Sequence, residues 1–398
     1  MNRRPRLLVL NQYYEPGVEA TGRLLAQLCS GLADDFEVTV VTGTLPNASA
    51  GRERREGVDV IRVRSTAFAR RRLWLRALNY GTFLAQSLRV ATRAERPDAV
   101  LAMTDPPVIG AVALLVARRF RAPLVVISQD VFPETAVRLG RIDNRLVLRL
   151  LQMLVGWYLR NGDRVVAIGE TMRARLVAKG APPGRVVVIP NWVDTRALIP
   201  SARRNDWASA TGLAHGFVVM HSGNVGYAQD LDSLVRAATR LRELEDLTIA
   251  IIGDGAHRGQ LVALARSLAA DRVRFLPYQP REMLPDSLSA ADVHIVGLAA
   301  GLAGYVVPSR LYGILAVARP VICAADAESE VAQLVERVGC GVVIQPGRPD
   351  LLAEAIRRAH DGDLDLDEMG RRGREYVVAE ADRTRAVARY RELLLEVA

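Results

Sequence analysis

Three clusters of residues have the types and spacing to do chemistry on a phosphorylated ligand. The segment Phe217–Leu231, FVVMHSGNVGYAQDL, reads as an apolar strand, a tight loop with Gly223 and Gly226, and the start of a helix. Such a loop points backbone N–H groups and a helix dipole at a place where phosphate can sit. Asn224 and Gln229 add side-chain amides, and the loop holds no cation. Farther on, Pro308-Ser309-Arg310 opens a helical segment. Hydroxyl, helix N–H groups and a fixed cation together suit a diphosphate; a capped helix with an incidental arginine is the plainer alternative. In the first half, Asp130 and Glu134 follow the apolar run LVVIS. Carboxylates at the carboxyl end of a strand can bind a hydroxyl or serve as a base. Charge at a helix start explains them equally well.

These residues need elements to carry them. Strand patterns recur at helix-sized intervals: Leu7–Leu10, Glu37–Thr42, Val58–Val63, Ala99–Met103, Leu124–Ser128, Arg164–Ile168 and Val186–Ile189. They begin again at Phe217–His221, Thr248–Gly253, Val273–Phe275, Val293–Val296, Pro320–Ala324 and Gly341–Ile344. Strands alternating with helical periodicity predict parallel sheets wrapped by helices. The expected fold class is α/β, with two Rossmann-like domains facing each other across a cleft. Their expected ranges are residues 1–195 and 196–380, with a helix over 381–398 packing back on the first domain. The join falls in the polar stretch Pro190–Trp207, where Asn191 and Asp194 are placed to shape a hinge.

Ligands of open α/β sheets bind beyond the carboxyl ends of strands, which selects further candidates. After the first strand, Gly17 and Gly22 let backbone approach a ligand. The loop is no GxGxxG fingerprint, which argues against a dinucleotide oxidoreductase. Thr104 and Asp105 follow the fourth strand ahead of two prolines. Gly253 and Asp254 end the strand where a nucleotide base would lie, and Glu330 follows the strand ending at Ala324.

Length and composition bound the remainder. The chain has 398 residues, half of them apolar, enough for two cores. No run of apolar residues is long enough to span a membrane. Cys29, Cys323 and Cys340 are widely spaced, as buried free thiols of a reducing cytoplasm would be. The alternating carboxylates of Asp361–Glu368 lack the glycine and terminal glutamate of a calcium loop and read as a solvated turn. Residues 1–200 carry 30 Lys and Arg against 17 Asp and Glu, whereas the other half is slightly acidic. Within the basic half, STAFARRRLWLRALNYGTF mixes Phe68, Trp74 and Phe83 with Arg70, Arg71, Arg72 and Arg76. That composition suits an interfacial helix on anionic lipid. No recognised nucleic-acid module accompanies it, so nucleic acid is not an expected partner. A surface helix with core-facing aromatics is the alternative.

The segments NQYYEPGVEATGR, TDPPVIG, ISQDVFPETA, VIPNWVD, HSGNVGYAQDL and VPSRLYGILAVARPVI, in this order and spacing, resemble the retaining glycosyltransferases of family 4, which have the GT-B fold. The likeness covers nearly the whole chain and is strongest toward bacterial enzymes of capsule, O-antigen and exopolysaccharide assembly. It implies a nucleotide-sugar donor, UDP-sugar favoured, held by the second domain, and an acceptor held by the first. It implies no metal and no other cofactor, with Asp130 and Arg310 as the catalytic pair. Gly17, Asn224, Gly226, Gln229, Gly253, Asp254, Ser309 and Glu330 would bind donor, and Thr104, Asp105 and Glu134 acceptor. A polyprenyl-diphosphate-linked acceptor and a place on the inner face of the cell membrane follow from the same likeness. Many family members carry a basic pair in the glycine loop and two glutamates before the PVI strand. Here the glycine loop holds no cation and the glutamate slots hold Tyr305 and Gly313; similar enzymes relax this motif around a Pro-Ser-Lys, so Arg310 is expected to supply the positive charge that the loop lacks. Two rival readings are a soluble tailoring glycosyltransferase and a catalytically inactive scaffold subunit.

Overall fold

A computed structural model describes residues 3–17, 19–45, 48–66 and 73–398, with the backbone only for 73–77. The chain forms two compact units, one comprising Met1–Pro190 with Arg383–Ala398, the other Asn191–Asp382.

The first unit runs β1 (Arg6–Leu10), α1 (Ala20–Leu32), β2 (Glu37–Gly43), β3 (Gly51–Arg55), β4 (Val58–Val63), α2 (Leu73–Ala91), β5 (Ala99–Met103) and α3 (Ile109–Phe120). It continues through β6 (Leu124–Ser128), α4 (Glu134–Arg138), α5 (Arg145–Asn161), β7 (Arg164–Ala167), α6 (Glu170–Ala178) and β8 (Val186–Val188). The second runs α7 (Asp206–Thr211), β9 (Phe217–Ser222), α8 (Leu231–Ala238), β10 (Leu247–Ile252), α9 (Arg258–Ser267), β11 (Val273–Leu276), α10 (Leu284–Ser289) and β12 (Val293–Gly297). It ends with α11 (Arg310–Ala316), β13 (Val321–Ala324), α12 (Glu330–Val338), β14 (Gly341–Ile344), α13 (Pro349–His360) and α14 (Leu366–Glu380); α15 (Arg383–Val397) closes the chain.

The eight-stranded sheet of the first unit has the order β3-β4-β2-β1-β5-β6-β7-β8, and the six-stranded sheet of the second β11-β10-β9-β12-β13-β14. In both, the order reverses beside the first strand of the unit, which is where open sheets form a crevice. Central strands such as β5 and β6 are buried at every residue, which is why they read as unbroken apolar runs. In the second unit, Val219, Ile249, Ile251, Val293 and Ile295 point to one face of the sheet. Val218, Met220, Ala250 and Ile252 point to the other, so the period of two sorts one strand into two cores.

One strand departs from the expected parallel sheet. β3 is antiparallel to β4 at the sheet edge. Its sequence, GRERR, is exposed throughout and carries no apolar pattern to announce a strand. The signal lies in the turn: Glu56 and Gly57 both have positive φ, 47° and 80°, the geometry of a tight hairpin.

The junction between units falls a few residues earlier than the sequence suggests. The Val193 amide donates to the Ala381 carbonyl at 3.0 Å, and the Thr195 hydroxyl donates to Asp382 at 2.6 Å. These bonds draw the start of the expected linker into the second unit. Asp194 caps the turn that follows, accepting from the Arg196 and Ala197 amides. The helix α15 belongs to the first unit. Arg383 donates to the Gln27 carbonyl and the Ser30 hydroxyl, and Tyr390 and Leu394 are fully buried. The three cysteines are buried and free. Asp365 caps α14 by accepting from the Glu368 amide, so the acidic stretch ends in a helix start.

Candidate functional site

The second unit brings together two segments far apart in sequence. β9 ends in His221 and Ser222, and the glycine loop begins at Gly223. The Arg310 side chain reaches back from the first residue of α11 to this loop. Its Nη1 stands 2.9 Å from both ring nitrogens of His221. A Cβ built on Gly223 would lie 3.9 Å from the Arg310 guanidinium carbon. His221 is completely buried, and burial with the neighbouring Arg310 charge holds its pKa well below the ordinary histidine value. The ring is therefore neutral at physiological pH, so the guanidinium does not face a second cation. Burial also lowers Arg310 to about 10, so it remains a cation at neutral pH. Ser309 precedes it, and its hydroxyl has no hydrogen-bond partner among the described residues.

The glycine loop itself differs from the open phosphate cradle that its sequence suggests. Gly223 donates its amide to the Ile252 carbonyl at 2.9 Å, and Val225 to the Asp254 carbonyl at 2.9 Å. The Gly226 amide donates to the Gln229 side chain at 2.9 Å. Gly226 and Gln229, both expected to bind donor, thus satisfy each other and hold the loop's shape. Asn224 is exposed at the tip and stays available. The helix behind Arg310 has only seven residues, so its dipole adds little and the side-chain charge dominates.

Gly253 explains why the loop can sit where it does. Its φ is +130°, and a Cβ there would fall 1.9 Å from the Gly223 carbonyl oxygen. Two strand ends can approach this closely only over a bare Cα. Asp254 turns its carboxylate onto the Gly255 amide at 2.8 Å, a structural use of a residue expected to contact ligand. Glu330 sits in the first turn of α12, where the helix dipole favours a carboxylate, beside Ser329, which caps the helix. A Cβ built on Gly313, one of the two slots where the resemblance leads one to expect glutamate, would lie 3.8 Å from Leu198 and Leu288. Tyr305, at the other slot, is buried.

In the first unit, Asp130 stands beyond β6. Burial raises its pKa to about 7, against the lowering charge of Lys179. No hydrogen-bond or ion-pair partner of its carboxylate occurs among the described residues. Glu134 has protein partners of its own. It forms a part-buried ion pair with Lys179 and accepts from Gln152 at 3.2 Å. Thr104 is buried and accepts from the Gln129 amide at 3.1 Å, and Asp105 accepts from the Thr21 hydroxyl at 2.8 Å. Both side chains help to join loops at the carboxyl ends of the strands. Gly17 donates its amide to the Tyr14 carbonyl at 3.1 Å, and a Cβ on it would meet Glu19 at 2.8 Å.

Sequence reasoning missed Arg62. It lies inside β4, is almost completely buried, pairs with Glu53 at 2.7 Å and also donates to the Glu15 carbonyl. An arginine in the middle of VDVIRV was the available signal. Between the end of β4 and α2, Arg64, Ser65, Thr66, Thr82 and Gln86 line a hollow of about 370 Å³. The residues expected to touch a membrane, Phe68, Arg70, Arg71 and Arg72, lie outside the described residues, as do the side chains of Trp74 and Arg76. Phe83, from the same segment, is a core residue with no exposure.

Comparison with known proteins decides the family. The model described as "Glycosyl transferase 4-like domain" matches residues 20–192. That described as "Glycosyl transferases group 1" matches residues 205–376. The chain belongs to the GT-B glycosyltransferases. This glycosyltransferase is 27% identical over 374 residues to WcaI of Escherichia coli, named as a colanic acid biosynthesis glycosyl transferase, covering 89% of this chain and 92% of WcaI. It is 28% identical to WbjE of Pseudomonas aeruginosa, named as a glycosyltransferase, over 71% of each chain. The fold superposes on Anabaena HepE in complex with UDP-glucose with a TM-score of 0.76 at 17% identity, covering 98% of this chain and 100% of that one.

Proposed function

We propose that this glycosyltransferase moves a sugar, with retention of anomeric configuration, from a UDP-sugar to a lipid-linked or polysaccharide-precursor acceptor in cell-surface glycan assembly. The observation that carries the reading is the Arg310 guanidinium held against neutral His221 beside the Gly223 loop. A diphosphate leaving group develops negative charge as the glycosidic bond breaks. A fixed, part-buried cation that is already oriented stabilises that charge without reorganisation. The unpartnered Ser309 hydroxyl and exposed Asn224 are the hydrogen-bonding groups nearest in sequence to this cation and the loop. The UDP-glucose complex of HepE supports a UDP-sugar donor, and WcaI's name supports a surface-polysaccharide product.

With Arg310 supplying positive charge, the reaction runs without a metal or other cofactor. Asp130, with its raised pKa, exchanges a proton near neutrality and serves the acceptor hydroxyl or the donor sugar. The enzyme works in the cytoplasm, on the inner face of the membrane that carries its acceptor. No helix among the described residues is long and apolar enough to cross a membrane, so attachment there would be peripheral.

A thermal-shift panel of UDP-, GDP- and dTDP-sugars tests the donor. Binding to the native state raises apparent stability, so UDP-sugars shift the transition upward and the others do not. A shift with GDP-sugars alone would overturn the choice of base. The anomeric configuration of the product, read by NMR, tests retention, and full turnover in a chelator tests independence from metal.

A further inference from the structure

The helix α5 carries an apolar stripe that the first unit does not cover. Leu146, Leu150 and Met153 are 78%, 64% and 64% exposed. With half-buried Trp157 they recur at intervals of four, three and four residues, which places them on one face of a helix. The opposite face of the helix's second half is packed. Val155, Gly156, Tyr158 and Leu159 are buried, and Tyr158 lies against Gly110 of α3. The exposed first half is well formed, because the Asn144 side chain caps it by accepting from the Leu146 and Val147 amides.

The charges around the stripe say what covers it. Between Thr135 and Gly162 the sequence has five arginines and one carboxylate, Asp143. Arg145 and Arg149 occupy the first part of α5, which has no acidic residue in its first turn. Cations there oppose the helix dipole, so helix stability does not account for them. On neighbouring α3, Arg118 lies over the Trp157 ring, 5.2 Å from its centroid, one turn from exposed Leu115. A second copy of this chain would set arginine against arginine across a twofold axis. An apolar stripe rimmed by arginine and ending in tryptophan matches the interface of an anionic bilayer, with acyl chains under the stripe and phosphates at the rim.

We infer that the exposed face of α5 is a lipid-docking surface that seats this glycosyltransferase on an anionic membrane. The inference rests on the reading of a peripheral enzyme and moves its membrane contact from the arginine-rich segment before α2 to α5. The test is co-sedimentation with vesicles of phosphatidylglycerol and phosphatidylcholine, against vesicles of phosphatidylcholine alone. The wild type is expected to bind the anionic vesicles, and added salt to weaken binding. The triple variant Leu146→Ser, Leu150→Ser, Met153→Ser is expected to bind at least tenfold more weakly. Its thermal shift with UDP should match the wild type, which reports an intact fold. Arg145→Gln with Arg149→Gln should weaken anionic binding alone. If the triple variant binds as the wild type does, while a variant with Arg70, Arg71 and Arg72 replaced by glutamine and Trp74 by alanine does not, the α5 inference fails and the peripheral reading stands. If the wild type ignores anionic vesicles, both fail. A wild-type dimer in light scattering that the triple variant turns into monomer assigns the stripe to self-association and overturns the proposal.

Discussion

Arg310 draws its importance from its neighbour. A guanidinium against an imidazole persists only if the ring stays neutral, and burial in the sheet keeps His221 neutral. Buried His294, one strand over, behaves alike and is lowered to about 4, while its Nε2 stands 2.9 Å from the Leu288 carbonyl. The unfolded chain binds protons at these positions below about 6.5 and the native state does not, so stability rises with pH in that range. The two histidines therefore contribute stability that is lost as pH drops from about 6.5 to about 4, which chemical denaturation reads as the difference in slope between the wild type and a variant lacking one of them. His294 alone accounts for roughly 3 kcal/mol of this at most, and His294→Leu should flatten the slope; an unchanged slope contradicts its neutrality. Asp130 titrates in the opposite sense, because its native pKa is raised to about 7. Lys179, the one lysine of the chain, lowers that value. In Lys179→Met the Asp130 limb of the rate–pH profile should move to higher pH. A limb that stays in place removes Asp130 from the titrating step.

At the level of elements, the glycine loop depends on two strand ends meeting without side chains. Gly253→Ala places a methyl against the Gly223 carbonyl and forces a positive φ on alanine. We expect a loss of about 2 kcal/mol or more in denaturant unfolding, together with loss of the thermal shift given by UDP. Retained UDP binding would mean that the loop moves aside without cost. The strands were legible because buried parallel strands are written as apolar runs. The edge strand β3 was not, since an exposed strand needs no apolar residue and is specified by its hairpin turn. The glycine loop was found by sequence, but its use of Gln229 to close on Gly226 was not. A side-chain amide that satisfies a backbone group looks the same in sequence as one that awaits a ligand. The structural hydrogen bonds of Thr104, Asp105 and Glu134 were hidden for the same reason. His221 was counted in the wall of the site but given no role, because a histidine ending an apolar strand reads as core until its partner, carried on α11, is known.

On the scale of the whole chain, two α/β units with the same strand-and-helix logic share one polypeptide, and the last helix returns to the unit that began it. That return was expected from the position of the helix after the final strand; its anchoring through Tyr390 and Arg383 required coordinates. Removing the Tyr390 side chain should cost about 3–5 kcal/mol, as large aromatic truncations in cores do. Because Tyr390 is buried in the first unit, the loss should appear in that unit's unfolding while UDP binding by the second persists. A coincident loss of UDP binding would show that the units do not unfold separately. The charge asymmetry of the sequence also belongs to this scale. The basic half carries the α5 stripe, and the half with Arg310 and the glycine loop is slightly acidic overall, so a local cation there stands out against its surroundings.

The central claim is that Arg310, braced by His221, holds the donor diphosphate. Calorimetric titration of UDP into the wild type and Arg310→Ala, both confirmed as folded, tests it most directly. A lost charge-assisted hydrogen bond is worth about 1.5–3 kcal/mol, so the variant should bind roughly tenfold to a hundredfold more weakly. Equal affinity in the two proteins would contradict the claim and leave the site without its cation.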